Sequence, residues 1–322
     1  MVEINYVTNR LLDHGCGSKI HKLIPLIGLV SYLNKIGLNY DFIYSPLSYE
    51  GPYGFGTNQL NHYYHKPITN LREQYLEVCN RWDNMINYNG KKIMDINPVP
   101  WNLELGRYNY DLASSLWGGG WTGVHRREEN GEIIKSTLLF LTWPSEFPYK
   151  EYINDENVKS MNDADFDTLI YEETRRIREK IRQDLNIKTT TKDYTDIKIH
   201  IRRHDVNDFQ NGERFNNNDY FLNVISKLKE KYKSNYKITI HTQRQNFNPL
   251  GFEDFEIKYD DETLDNEVWA ELIDSDVLVT SKSSYSHSAG ILCDGIVIYD
   301  DDDMGMSGRS KNLYNWFKID DI

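Results

Sequence analysis

Apolar residues recur at three- and four-residue steps over 21–36, where Leu23, Ile24, Ile27, Val30 and Leu33 share a face and predict a helix. A second such stretch, 163–184, carries Leu169, Ile170, Ile177 and Ile181 on one side and predicts a long charged helix. The rest of the first half reads as irregular, with turn-rich and aromatic-rich segments at 49–57 and 115–123. The polar, threonine-rich stretch 186–195 reads as a linker. Beyond it the pattern becomes regular. Strands are predicted at 197–201, 236–241, 277–280 and 296–299. Between them fall a helix over 220–232, with Phe221, Val224, Ile225 and Leu228 inward and a cap-like run at 216–219, and a helix over 263–275 on Leu264, Val268 and Leu272. A short helix over 286–292 completes the series. Strands alternating with helices imply a parallel sheet, so the expected fold class is α/β with two domains, 1–185 and 196–322.

Length and charge narrow the function. A chain of 322 residues accommodates two ordinary α/β domains or one large one. Its 39% hydrophobic and 27% charged residues are the balance of a soluble globular protein. A net charge of −12 argues against a groove that tracks nucleic-acid phosphates, and no basic-aromatic pattern appears. A local basic pocket for one small anion is still compatible with that charge. No Gly-x-x-x-x-Gly-Lys-Ser/Thr element occurs, which excludes a P-loop kinase or ATPase. No run of about 18 apolar residues predicts a membrane span, and residues 1–9 lack a signal-peptide core. The expected location is therefore cytoplasmic, or the sequence has been trimmed. Cys16, Cys79 and Cys293 are far apart and lack metal-ligand spacing, which fits a reducing compartment and leaves one disulfide open. The 23 tyrosines and many asparagines suit carbohydrate binding, as they also suit an AT-rich coding bias.

Ligands of parallel sheets bind beyond the carboxyl ends of the strands. The first strand of the second half ends in His200-Ile201-Arg202-Arg203-His204-Asp205. Alternation puts His200 and Arg202 on one face and Arg203 on the other. Two arginines there either aim fixed donors at a diphosphate or are solvated and paired with Asp205. The third strand runs into Thr280-Ser281-Lys282-Ser283-Ser284, where small hydroxyl residues open a helix whose N-terminus suits an anion; a plain N-cap with spare serines is the simpler reading. Gly15-Cys16-Gly17-Ser18, before the early helix, permits close approach of backbone to a ligand, or forms a tight turn.

Together these features resemble the GDP-fucose-dependent fucosyltransferase superfamily, which includes the α-1,2-, α-1,6- and protein O-fucosyltransferases. The strand end is similar to the family's His-x-Arg-Arg-Gly-Asp, with His204 in place of the glycine. The segment from Asp276 through Thr280 to Ser283 and Ser284 is similar to its acidic residue, strand and serine loop, and the glycine turn is similar to its N-terminal one. The two C-terminal motifs span about 196–299.

The resemblance implies a GT-B-like fold, two Rossmann-type domains with an acceptor-side N-terminal domain and a C-terminal domain that binds the GDP-sugar. It implies an inverting transfer of fucose to a glycan or protein acceptor with no cofactor and no bound metal. Arg202 would contact the phosphates and stabilise the leaving group, while Arg203 would hold the loop. His200 and Asp276 would lie near guanine or its ribose, Ser283 and Ser284 would hold the diphosphate, and Gly15 and Gly17 would let the first domain close. Asp13 and His14 are the candidate bases by position. Trp101, Trp117 and Trp121, with Tyr108 and Tyr110, are candidate sugar-stacking residues or ordinary core, and Gly118-Gly119-Gly120 suggests a tightly turned loop. The acidic residues Asp260-Asp261 and Asp300–Asp303 suit a metal-dependent transferase or a solvated loop. Another nucleotide-sugar donor, or a non-catalytic glycan-binding protein on the same scaffold, is the alternative.

Overall fold

A computed structural model of the chain describes residues 2–9, 16–44, 77, 79–86, 121–129, 132–141, 153, 155–203, 215–260, 262–300 and 315–322. The chain divides into two compact units, Met1–Leu185 and Asn186–Ile322. Among the described residues no helix is long and apolar enough to cross a membrane.

The first unit is built on a four-stranded sheet in the order β2-β1-β4-β3. Its strands are β1 (Val2–Asn9), β2 (Tyr40–Ile43), β3 (Trp121–Glu129) and β4 (Glu132–Leu141). β1 pairs parallel with both β2 and β4, and β3 runs antiparallel to β4. Among the described residues this half is thus more regular than its sequence suggested, while 49–57 and 115–120 lie outside the described residues. One signal was present: Asn130-Gly131 separates the paired Glu129 and Glu132, and that dipeptide favours a two-residue hairpin. Charged residues such as Arg126, Arg127 and Glu128 hid the strand that precedes it.

Helix α1 (Cys16–Lys35) starts earlier than its apolar periodicity indicated. It buries Ile20, Leu23, Ile24, Leu26, Leu29, Val30 and Leu33, and packs on helix α3 (Asp163–Arg176). The approach is close at Gly28, where a Cβ would meet Thr174 Oγ1 at 2.0 Å. Beside it, buried Glu173 accepts from Ser31 Oγ (2.6 Å) and Arg176 Nε (2.8 Å). The Arg176 hydrogen bonds, with those of Ser31 and the charge of Lys35, hold the Glu173 carboxyl down at about 2. Helix α2 (Glu156–Ser160) precedes α3 and is capped by Asp155. The single long helix expected over 163–184 is two helices, because Ile177 leaves the helical region at φ −103°, ψ 12° before α4 (Arg178–Asp184). Arg178 Nη1 donates to the Arg175 carbonyl (3.0 Å) beside the break.

The second unit is a six-stranded, wholly parallel sheet in the order β10-β9-β8-β5-β6-β7. Its elements in chain order are β5 (Thr195–Ile201), α5 (Asn218–Tyr232), β6 (Tyr236–Thr242), β7 (Glu256–Tyr259), α6 (Asp265–Ile273), β8 (Val277–Val279), α7 (Ser284–Leu292), β9 (Ile296–Tyr299) and β10 (Trp316–Lys318). The chain is therefore α/β, with the parallel C-terminal sheet its sequence pattern requires. Phe221, Val224, Ile225 and Leu228 of α5 are the four buried residues of that helix, capped by Asn217, whose side chain accepts from the Tyr220 amide (2.9 Å). They close on Ile197, Ile199, Ile201, Ile238, Ile240, Val277, Val279 and Ile298 in one apolar core.

Beyond shifts of one or two residues at element ends, three features differ from the sequence reading. Leu264, expected inward, is the N-cap of α6 and 44% exposed, because the helix begins only at Asp265. The strands β7 and β10 are short edge elements with little periodicity to read. The linker stretch packs against the second unit: Thr190 donates its backbone N–H to the Asp274 carboxylate (3.1 Å), and Lys192 reaches Asp196 (2.5 Å) and the Asp274 carbonyl (2.6 Å).

Candidate functional site at the carboxyl edge of the parallel sheet

Numbered within the unit, the strand order is 3-2-1-4-5-6, the doubly wound order whose ligands bind where the winding reverses. Here that point lies between β5 and β8. Both segments singled out in the sequence, the double arginine and the serine turn, leave the sheet at this switch point.

Alternation divides the arginines. Arg203 turns toward the apolar side, 8% exposed, with its guanidinium 5.9 Å over the Phe221 ring and 5.6 Å over Phe247. Nη1 donates to the carbonyls of Arg202 (3.1 Å) and Asn216 (3.0 Å), Nη2 donates to Asn218 Oδ1, and the backbone N–H donates to Gln243 Oε1 (3.2 Å). Burial lowers Arg203 to about 10, so it stays charged near neutrality. It splices the ends of β5 and β6 to the start of α5. Arg202 is half-buried, its guanidinium carbon 6.0 Å from the Phe215 centroid, and its charge reaches His200 on the same face of β5.

His200 is placed on that face, half-buried at the carboxyl end of β5. Its Nδ1 lies 2.8 Å from Ser281 Oγ, and its ring is 5.3 Å from Tyr285. Burial, followed by the charges of His241, Arg202 and His287, lowers His200 from 6.5 to about 3. The neutral ring shares one hydrogen with the serine and fixes the β8–α7 turn to β5. Within that turn the Ser283 amide bonds the Ser281 carbonyl (2.6 Å), and Ser286 Oγ donates back to Ser283 (3.3 Å). Ser283 is the N-cap of α7 and 4% exposed; Ser284, half-buried, is the helix's first residue. The first-turn amides of α7 thus open off the switch point, an arrangement that favours negative charge.

Positive charge on this edge is partly matched. Lys282 Nζ stands 3.5 Å from Asp300 Oδ2, at the end of β9, and Asn216 Nδ2 donates to the same carboxylate. Asn216 and Asp300 are the site residues the sequence reading undervalued. The first was seen only in a cap-like run and the second only in an acidic run; their meeting depends on strand order. Asp260, also in an acidic pair, accepts the Arg244 backbone N–H (3.2 Å).

Asp276 requires a correction. It precedes β8, so in a parallel sheet it sits at the amino edge, across the sheet from Arg202 and Ser283. There its Oδ2 accepts from the Asp196 amide (2.8 Å), and its backbone joins β5 and β9 through the Asp196 carbonyl and the Ile296 amide (2.9 Å each). Gly295 is required beside it, since a Cβ would come within 2.2 Å of the Asp276 carbonyl oxygen. Asp276 is a strand-joining residue, not a companion of the switch-point arginine.

Gly17, read as part of a turn, lies inside the first turn of α1. Asp13, His14, Gly15, His204 and Asp205 lie outside the described residues, as do Trp101, Tyr108, Tyr110, Trp117, the glycines 118–120, Asp261 and 301–303. Trp121 opens β3. Cys79 and Cys293 are buried, and Cys293 Sγ donates to the Ser275 carbonyl (3.3 Å).

No protein-family model and no curated protein matches the chain. Among solved structures it is similar to the wall teichoic acid polymerase TagF, in two variants and one form without a stated substitution. A first variant is 15% identical over 97% of this chain and 73% of that chain, with TM-score 0.25. The second is 14% identical over the same shares, with TM-score 0.25. The third structure is 14% identical over 98% of this chain and 76% of that chain, with TM-score 0.26. An overlap that low leaves the site to be read from its own geometry.

Proposed function

We propose that the chain is a glycosyltransferase that binds the diphosphate of a nucleotide-sugar at the β5–β8 switch point, with fucose from GDP-fucose as the donor. The observation that carries this reading is the His200–Ser281 contact of 2.8 Å, which ties the strand ending in Arg202 to the turn that opens α7. A guanidinium and a set of first-turn amides then face the same edge. That pairing suits a dianionic leaving group and takes the part a divalent cation plays in other transferases. The donor assignment rests on the resemblance of 200–205 and 280–284 to the GDP-fucose enzymes.

In the reaction the acceptor oxygen attacks the anomeric carbon as the bond from that carbon to the diphosphate oxygen breaks. Configuration inverts, GDP departs, and the acceptor proton passes to a base. Arg202 stabilises charge on the departing diphosphate, and Arg203, through Asn216 and Asn218, keeps the strand end in place. Asp13 and His14 are the base candidates, and residues 1–185 are the proposed acceptor side, with the GDP-sugar on 196–322. Another nucleotide-sugar on this edge is the second reading, because a guanidinium and helix amides suit the diphosphate that GDP-, UDP- and ADP-sugars share.

Calorimetric titration with GDP, UDP, ADP and CMP, in the presence of EDTA, tests both. Selective GDP binding that is lost in Arg202→Ala is the expected result. A preference for UDP moves the assignment to the second reading, and no nucleotide binding at all defeats the proposal.

A further inference from the structure

Beyond the switch point, two aromatic rings lie between two guanidinium groups along the same carboxyl edge. Arg203 covers Phe247 at 5.6 Å; Phe247 meets Tyr259 edge to face, centroids 6.2 Å apart; and Arg244 lies over the other part of that ladder, its guanidinium carbon 3.9 Å from the Tyr259 centroid. The row begins at the end of β5 and finishes at the end of β7, two strands away, or about 10 Å at ordinary strand spacing. Its last member is already ordered. Glu262 pairs with Arg244 Nη2 along one edge, and Asp260 accepts the Arg244 backbone N–H. The Arg244 side chain is nevertheless 51% exposed.

We propose that the Arg244–Tyr259 stack is the seat of the donor's nucleobase, a planar heteroaromatic ring lying on the guanidinium with the carboxylates of Asp260 and Glu262 at its rim. This rests on the reading of the β5–β8 switch point as the diphosphate site, and it specifies where the rest of the nucleotide goes. The physical case has three parts. A guanidinium offers a planar face that stacks on a π-system, whereas an ammonium acts on it only as a point charge. Base stacking on such a platform is tolerant of base identity, so discrimination falls to hydrogen bonds at the rim. Acceptor-only carboxylates there favour a base edge rich in N–H donors, as guanine's is, over one that presents acceptors. A surface ion pair of the Arg244–Glu262 kind contributes little to stability, so removing it need not unfold the protein.

The test uses the full chain and two probes, GDP and inorganic pyrophosphate, titrated against the parent, Arg244→Ala, Arg244→Lys and Arg202→Ala. Arg244→Ala is expected to weaken GDP about tenfold while leaving pyrophosphate within twofold. Arg244→Lys, which keeps the charge but not the plane, is expected to behave like Arg244→Ala. Arg202→Ala weakens both probes. The assignment is overturned if Arg244→Ala leaves GDP affinity within twofold, if it weakens pyrophosphate as much as GDP, or if Arg244→Lys binds GDP like the parent. A parent that binds neither probe defeats the switch-point reading itself, an outcome distinct from the other three.

Discussion

The two faces of the six-stranded sheet are made from neighbouring residues of the same strands and do opposite work. On one face Ile197, Ile199 and Ile201 of β5 meet Ile238, Ile240, Val277 and Val279, all buried with α5 above them. On the other, the intervening positions are Asp196, Lys198 and His200 of β5, Thr239 and His241 of β6, and Glu256 and Lys258 of β7, in register from strand to strand. Asp196 holds Lys192 (2.5 Å) and Lys198 (3.2 Å), and Lys258 holds Glu271 (2.8 Å), 3.5 Å from His241. The contrast separates two requirements. Burial of apolar area is indifferent to pH and direction, and it stabilises the unit. The polar layer depends on each charge meeting its partner, and it carries His200 and Arg202 out to the edge where a ligand would bind.

The largest expected effect lies on the apolar face. Ile199→Ala empties a fully buried central position and should cost about 4 kcal/mol in urea unfolding, by equal amounts at pH 7 and pH 5. A loss that varies with pH would mean that the two faces are not independent. Next comes Asp196→Ala, which leaves Lys192 and Lys198 without their shared carboxylate and should cost about 3 kcal/mol. Adding Lys198→Met should recover part of that loss; if it recovers none, charge pairing is not what orders this layer.

The smallest effect is also the most diagnostic. Burial, then Lys198 and Lys258, lowers His241 from 6.5 to about 3, outweighing Glu256 and Asp196. Between those values the unfolded chain binds a proton that the folded chain refuses. Stability contributed by keeping His241 neutral is therefore full above about pH 6.5 and falls as pH drops toward 3, by about 1 kcal/mol per pH unit. Comparing unfolding of the parent and His241→Asn at pH 7 and pH 5 isolates this contribution, since other titrating groups cancel in the difference. Parallel pH dependences would show that His241 takes up a proton as readily in the folded chain as in the unfolded one.

Much of the second unit was legible in the chain itself. Phe221, Val224, Ile225 and Leu228 announced both the helix and its buried side, because a helix over a sheet must bury one stripe. The phase of β5 was also readable: period-two alternation put His200 and Arg202 opposite Arg203, and the structure keeps that division. The first unit was less legible. The β3–β4 hairpin mixes a charged strand with an apolar one, so neither shows the alternation of a half-buried strand, and only Asn130-Gly131 marked it.

Local period and residue type were enough for the α/β class, the buried side of α5 and the positions of the two strand-end segments. Which residues meet is settled when the sheet assembles. Strand order brings β5 and β8 together across 80 residues of chain, joining Asp196 to Asp276 at one edge and His200 to Ser281 at the other. Strand direction then sends Asp276 to the amino edge and Asp300 to the carboxyl edge beside Lys282. Sheet pairing is non-local, and a residue's edge depends on whether it enters or leaves its strand. No composition or spacing records either fact until the sheet is assembled.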